Sequence, residues 1–83
     1  MTQTLNTPVS VSAYYFAGRE MKTFPKQIEY SGEDVTFTNG LRYLVRKGSE
    51  AIRLFDMSTY DGLTYRLQQR GDTWTLLGTK GAL

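Results

Sequence analysis

Histidine and cysteine are both missing from this 83-residue sequence. Without histidine, the chain has no side chain whose ordinary pKa lies near neutrality, so the commonest general base is excluded. Without cysteine, it can form neither a disulfide nor a thiolate metal site, which favours a reducing compartment. The sequence also lacks a glycine-rich phosphate loop and a G-x-S-x-G motif. We therefore expect a protein that is not an enzyme and that binds no metal or organic cofactor.

Long apolar runs are missing as well. No stretch approaches the ~20 residues that a membrane helix needs, and the polar N-terminal segment has none of the features of a signal peptide. Ten basic and eight acidic residues give a net charge of +2, which is a smaller excess than dedicated nucleic-acid binders usually carry. These features predict one soluble, cytoplasmic domain with no membrane contact.

Glycine, by contrast, is regularly spaced along the chain. Between the glycines, apolar and polar residues alternate, most clearly over residues 63–69. Such alternation predicts strands with one buried face, and no segment shows the apolar period of a long helix. We predict an all-β fold, a small antiparallel meander of about five to seven strands that forms a rolled sheet or a small open barrel. It resembles SH3-like and OB-like barrels in general architecture only, which implies no function.

The turn residues predict the register of the strands. Two-residue loops at Gly48-Ser49, Asp61-Gly62 and Gly71-Asp72 would keep the apolar residues on one side of the sheet. At Asn39-Gly40 we prefer a three-residue loop with a left-handed Gly40 in a bulge, because a two-residue loop would expose Phe37. Residues 34–78 are then expected to form consecutive hairpins, with these residues facing one core: Val35, Phe37, Tyr43, Val45, Ile52, Leu54, Tyr65, Leu67, Trp74 and Leu76.

The N-terminal third of the chain is less regular. Residues 9–16 are typical of a strand, and residues 24–30 are typical of an edge strand because they contain Pro25. Tyr14 and Tyr15 are adjacent and would point to opposite faces, so one of them, or Phe16, should lie outside a simple core, where it could line a ligand pocket or a binding groove. The expected organisation is a flexible tail at residues 1–8 followed by a single all-β domain at residues 9–80.

Asp56 is the one carboxylate that this register places on the apolar face. It could be an acid whose pKa is raised in a cleft. Because no second carboxylate or base accompanies it, we prefer a structural interpretation, in which Asp56 bonds to the backbone or to a tyrosine hydroxyl at the rim of the sheet.

The opposite face of the sheet is the predicted working surface. By strand parity it carries Arg42, Arg46, Arg53, Phe55 and Arg66. Exposed arginines gain little from the fold itself, and a mixture of arginine and aromatic residues favours protein–protein contact. We expect a protein partner with an acidic surface. Nucleic acid bound on the same face, arginine stems that merely cover the sheet, and self-association through an edge strand remain alternatives.

Overall fold

Seven antiparallel strands form the part of the chain that the computed structural model describes, residues 2–81. Their bounds are β1 (Thr2–Ala17), β2 (Lys22–Tyr30), β3 (Glu33–Thr36), β4 (Asn39–Lys47), β5 (Glu50–Ser58), β6 (Thr64–Arg70) and β7 (Thr73–Lys80). They form one curled sheet in the order β3-β2-β1-β7-β6-β5-β4. The predicted all-β class and small open meander are confirmed. Within residues 2–81 no helix could span a membrane.

β1 is long enough to belong to both sides of the fold. Its first half pairs with β7, where Val9 lies opposite Trp74, and its second half pairs with β2, where Ser10 lies opposite Glu29. Register shifts on both sides of Ala13 mark irregularities of the kind that bend a strand and increase its twist. We call β4 to β7 with the first half of β1 the main sheet, and β2 and β3 with the second half of β1 the small sheet.

The two sheets meet a second time at Phe37 and Thr38, the residues between β3 and β4. The Phe37 N–H donates to the carbonyl of Lys26 in the small sheet, and the Thr38 N–H donates to the carbonyl of Ser58 in the main sheet, both at 2.8 Å. This short connection joins the two sheets and closes the half-barrel along one side.

The core fills the space between the two sheets. Aromatic contacts connect its layers: the Phe37 and Tyr65 rings lie 5.5 Å apart between centroids, and the Phe24 and Phe55 rings lie 6.2 Å apart. The buried side chains of this cluster are Ile28, Phe37, Phe55, Met57, Leu67, Trp74 and Leu76. Val35 and Tyr65 are partly buried against it. The inward direction predicted for Phe37, Leu67, Trp74 and Leu76 is confirmed.

Two of the predicted turns are confirmed with their register. The Gly48-Ser49 loop places Val45 opposite Ile52, and the Gly71-Asp72 loop places Leu67 opposite Leu76. Each loop begins with a glycine in the left-handed region, with φ of 64° and 62°, as tight hairpin loops require.

The prediction for Asp61-Gly62 is wrong by one residue. The Thr59 N–H donates to the Leu63 carbonyl at 2.9 Å, and the Gly62 N–H donates to the Thr59 carbonyl at 3.1 Å, so the loop has three residues and ends in a left-handed Gly62 with φ of 89°. Met57 consequently lies opposite Tyr65.

This change of one residue exchanges the two faces of the β4–β5 hairpin. Phe55 and Met57 point into the core, whereas Tyr43 and Val45 are exposed. Ile52 is buried outside the main cluster, and Leu54 is half-buried. The core position predicted for Tyr43 and Val45 is therefore wrong, whereas the burial predicted for Ile52 is confirmed.

The predicted hairpin at Asn39-Gly40 is also wrong. β3 pairs with β2, where Val35 lies opposite Ile28, and β4 pairs with β5, so β3 and β4 form no hairpin. Within residues 34–78 the consecutive hairpins run from β4 to β7. Gly40 lies inside β4 opposite Met57, and its φ is not positive. At the N-terminus, where we expected a tail, residues 2–8 belong to β1; Met1 lies outside the described residues.

Candidate functional site

The five residues of the predicted working surface do not share one exposed face. Arg42 lies opposite Phe55, and Phe55 is only 2% exposed because this side of the main sheet faces the core. Arg46 and Arg53 have the same parity, whereas Arg66 lies opposite Asp56 on the outer side. The prediction that Phe55 and Arg66 share one surface is wrong. The three-residue loop shifts β6 by one position, so Arg66 lies on the face opposite to that of Phe55.

Arg66 is neutralised on the outer side of the sheet. Its Nε and Nη2 donate to the two carboxylate oxygens of Asp56, each at 2.7 Å. The hydrogen bond from Arg66 holds the pKa of Asp56 below its usual value. Asp56 is therefore not an acid with a raised pKa. Arg66 is its main partner, and a hydrogen bond from Tyr43, the kind of tyrosine contact that we expected, lowers the pKa of Asp56 further. Arg70 forms an equivalent pair with Glu50.

Paired residues form two rows across the inner side of the main sheet. Both rows lie on the same, inner face. The row nearer the core, called the inner row, consists of Arg42, Phe55, Leu67 and Leu76, and the row nearer solvent, called the outer row, consists of Leu44, Arg53, Gln69 and Trp74. The inner row is core except for its arginine, while the outer row mixes polar and apolar residues. The outer row therefore forms the polar side of an opening between the two sheets.

This opening is a cleft of about 420 Å³. The main sheet contributes Arg42, Arg53, Phe55, Gln69 and Trp74, and the small sheet contributes Tyr14, Phe16, Thr23 and Pro25. The cleft thus combines two arginines with four aromatic rings, and none of the described residues that line it is acidic.

The aromatic wall of the cleft comes from the second half of β1. Tyr14 pairs with Pro25 and Phe16 pairs with Thr23, so both side chains point to one face of the small sheet. The Tyr14 ring lies 6.3 Å from that of Trp74 between centroids. Tyr14 is 50% and Phe16 is 61% exposed. Tyr15 points the other way and stacks on Phe24 at 5.3 Å, as its parity predicted.

Arg42 connects the two sheets beneath the cleft. Its Nη1 donates to the carbonyl of Thr23 in β2 at 3.1 Å, and its guanidinium lies 5.7 Å from the centroid of the Phe55 ring. The second distance is within the range of a cation–π contact. Arg42 is half-buried and held by two partners, so it is both a structural residue and a charge at the base of the cleft.

Arg53 lies at the exposed edge of the same cleft. Among the side chains that the structure describes, residues 5–81, the ion pairs involve Lys22, Arg66 and Arg70. Arg42, Arg46 and Arg53 therefore carry positive charge that no described carboxylate neutralises within ion-pair distance. This part of the chain also contains no cluster of residues that could hold a metal ion.

Tyr14, Phe16, Gln69 and Trp74 are cleft residues that the sequence-based site did not include. The signal for Tyr14 and Phe16 was the run of three consecutive aromatic residues, Tyr14 to Phe16, because a strand that buries one face must leave part of such a run on the other face. No sequence pattern indicated that this strand bends over the main sheet, because that contact depends on the tertiary fold.

Arginine and aromatic side chains at a concave, acid-free surface can bind an anionic group and an apolar group at the same time. Comparisons of the chain with protein-family models, with curated proteins and with solved structures find no match, so function must be inferred from the geometry of the chain itself.

Proposed function

We propose that the protein is a non-catalytic binding module and that an acidic segment of a protein partner enters the cleft. The observation that carries the proposal is that Arg42 and Arg53 face a wall of aromatic rings without an ion pair to any described carboxylate. The cytoplasm is the proposed location, since the chain contains no cysteine.

The two arginines are suited to different parts of the contact. Arg42 is already held by Phe55 and by the Thr23 carbonyl, so binding would cost it little further rotamer entropy. Arg53 is exposed and can pair with a carboxylate through two N–H groups. A carboxylate between them would lie beside apolar rings, where the lower dielectric strengthens charge–charge attraction.

The exposed rings supply the apolar part of the contact. Tyr14 and Phe16 leave half or more of their surface in solvent, and Trp74 forms the wall behind Tyr14. Tyrosine, tryptophan and arginine are the residues that most often dominate the energy of protein interfaces. The expected ligand is therefore a segment in which an acidic residue lies next to an apolar one.

Single-stranded nucleic acid is the second candidate. The observation that favours it is the exposure of Tyr14 and Phe16 beside arginines, because bases stack on such rings while arginines contact phosphates. Two cleft arginines and a net charge of +2 offer few phosphate contacts, and phosphate contacts supply most of the affinity in that class. The protein ligand is therefore preferred.

Capture experiments with matched variants test the proposal. Arg53→Glu and Phe16→Ser alter the cleft, while Lys80→Glu and Tyr60→Ser make the same chemical changes at exposed positions outside the cleft. Arg42 is left unchanged because it holds β2 to β4. We expect both cleft variants to weaken binding by roughly 30-fold or more, corresponding to about 2 kcal/mol, with the control variants unchanged. Equal capture by all four folded variants would refute a role for the cleft.

Trp74 provides a direct signal, because it is the only tryptophan in the chain and lines the cleft. Its emission should shift when the captured partner, or an acidic peptide from it, is added. Mixed-sequence single-stranded DNA and RNA serve as the second ligand class, and each titration is repeated over a range of salt concentrations. A shallow salt dependence supports the protein ligand, and a steep linear fall in log affinity supports nucleic acid.

A further inference from the structure

The curled sheet ends in two edge strands that differ in how they are protected. Within the described residues, β3 is one edge and β4 is the other. β3 has only four residues and begins with the exposed acidic residues Glu33 and Asp34, which is how soluble proteins commonly prevent edge-to-edge pairing. β4 has nine residues and no proline, and all nine pair with β5 without a bulge. The β4 edge is therefore long and regular.

β4 also exposes an unusual amount of apolar surface. Four of the eight exposed large apolar side chains of the described chain lie on it: Leu41, Tyr43, Leu44 and Val45. Leu41 and Leu44 are 61% and 58% exposed, respectively, and they lie on opposite faces of the strand by parity. A partner that extended the sheet at this edge would place its own side chains beside both sets.

Within the described residues, no strand of the small sheet pairs with this edge of β4. The side chain of Arg42 points to the inner side, like that of Phe55, and reaches Thr23 from there. The backbone contact of β2 with this part of the chain comes before β4 begins, where the Phe37 N–H donates to the Lys26 carbonyl, and at Arg42 the contact is made by the side chain. The N–H and C=O groups that β4 does not direct toward β5 remain available along this edge.

We propose that β4 pairs with β4 of a second copy of this chain, antiparallel and around a two-fold axis at Tyr43. In this register Leu41 lies opposite the partner's Val45, and the two Tyr43 residues lie opposite each other, which forms an apolar stripe on the outer face. Arg42 lies opposite the partner's Leu44, and Arg46 lies opposite the partner's Gly40. No two like charges are directly opposed.

The neighbouring two-fold registers are less favourable. A two-fold axis at Leu44 places Arg42 opposite the partner's Arg46. An axis at Arg42 places the Arg42 residues of the two copies opposite each other. Like charges directly opposite each other destabilise a strand pair. The distribution of arginines on β4 therefore selects the register centred on Tyr43, in an isologous contact that closes at two subunits. The contact does not depend on the ligand proposed for the cleft.

A cysteine scan tests the register, because the chain has no cysteine of its own. The Arg42→Cys, Tyr43→Cys and Leu44→Cys variants are compared under mild oxidation with Tyr60→Cys, whose position is 89% exposed in the β5–β6 loop. We expect rapid disulfide dimers only for Tyr43→Cys, because residues on the two-fold axis approach each other closely enough for a disulfide. Selective cross-linking of Arg42→Cys or Leu44→Cys would overturn the register.

Sedimentation of the unmodified chain tests the association itself. The apparent mass should rise from 9.5 kDa to twice that value as concentration increases. Leu41→Glu should prevent the rise, and adding Val45→Lys to the same chain should restore it, because the two new charges would oppose each other across the axis. Both side chains are exposed, so thermal melting should confirm that each variant folds. A mass of 9.5 kDa at every concentration, with cross-linking no faster than for Tyr60→Cys, would overturn the proposal.

Discussion

Replacing Gly40 should destabilise the protein because of close contacts with β5. A Cβ atom on Gly40 would come within 2.7 Å of the Met57 Cε atom and 3.1 Å of the Asp56 carbonyl oxygen, and it would also meet the Met57 Sδ atom. Met57 is completely buried, so its side chain has little space to move, and the carbonyl belongs to the backbone of a paired strand. Overpacking of this kind costs typically 1–3 kcal/mol.

We expect Gly40→Ala to lower the free energy of unfolding by about 2 kcal/mol, in the middle of that range. For a domain of this size each kcal/mol corresponds to about 4–8 °C in the melting temperature, so the transition should fall by roughly 8–16 °C. Urea unfolding followed by the fluorescence of Trp74 measures the free energy, and thermal circular dichroism measures the temperature.

A substitution of Gly40 by asparagine distinguishes the steric explanation from the alternative that Gly40 is needed for a left-handed backbone. Asparagine tolerates the left-handed region better than alanine, but it is larger, so Gly40→Asn should be worse than Gly40→Ala here. Gly32→Asn is the matched control, because Gly32 has φ of +76° and open space around its Cβ position. If Gly40→Asn were as stable as the unmodified protein, the placement of Gly40 inside β4 would be refuted.

Three further predictions concern the core, acid stability and metal content. Phe37→Ala should cost about 3–5 kcal/mol in urea unfolding, because Phe37 is fully buried where the two sheets join; Tyr60→Ala should change stability by less than about 0.5 kcal/mol, and equal effects would contradict the position of the core. The pKa of Asp56 is lowered by Arg66, so their pair should stabilise the fold above the ordinary carboxyl pKa, and the stabilisation should be lost as pH falls through the lowered value. Arg66→Gln should therefore cost up to about 1 kcal/mol at neutral pH and less in acid, whereas a cost independent of pH would contradict this pairing. Elemental analysis of the native protein should find no stoichiometric metal, and a bound metal would contradict the expectation from the missing histidine and cysteine.

Local sequence signals predicted the fold class and two of the four turns correctly. Gly48-Ser49 and Gly71-Asp72 gave the observed registers because two-residue loops depend on a few neighbouring residues. Asp61-Gly62 failed because the same dipeptide can also end a three-residue loop with a left-handed glycine. Here the hydroxyl oxygen of Thr59 accepts a hydrogen bond from the Leu63 N–H at 3.2 Å. A prediction that considers only the position of the glycine does not include this interaction.

Non-local features could not be predicted in this way. The corner at Phe37 and Thr38 places β3 and β4 at opposite ends of the strand order, although only two residues separate them. The candidate site shows the same limit. Parity grouped Arg42, Arg46 and Arg53 correctly, but the burial of Phe55 and the approach of Tyr14 depend on which sheet covers which face.

The pairing of the first strand with the last has a consequence for the order in which the chain can fold. Thr7 lies opposite Leu76, so during synthesis the first half of β1 has no partner in the main sheet until β7 has been made. The hairpins from β4 to β7 can form from neighbouring segments, whereas this final pairing must close nearly the whole chain into a loop, at a cost in conformational entropy. The first half of β1 therefore stays unpaired in the main sheet until β7 has been made, and a chain truncated before β7 would leave both β1 and β6 unpaired on that side.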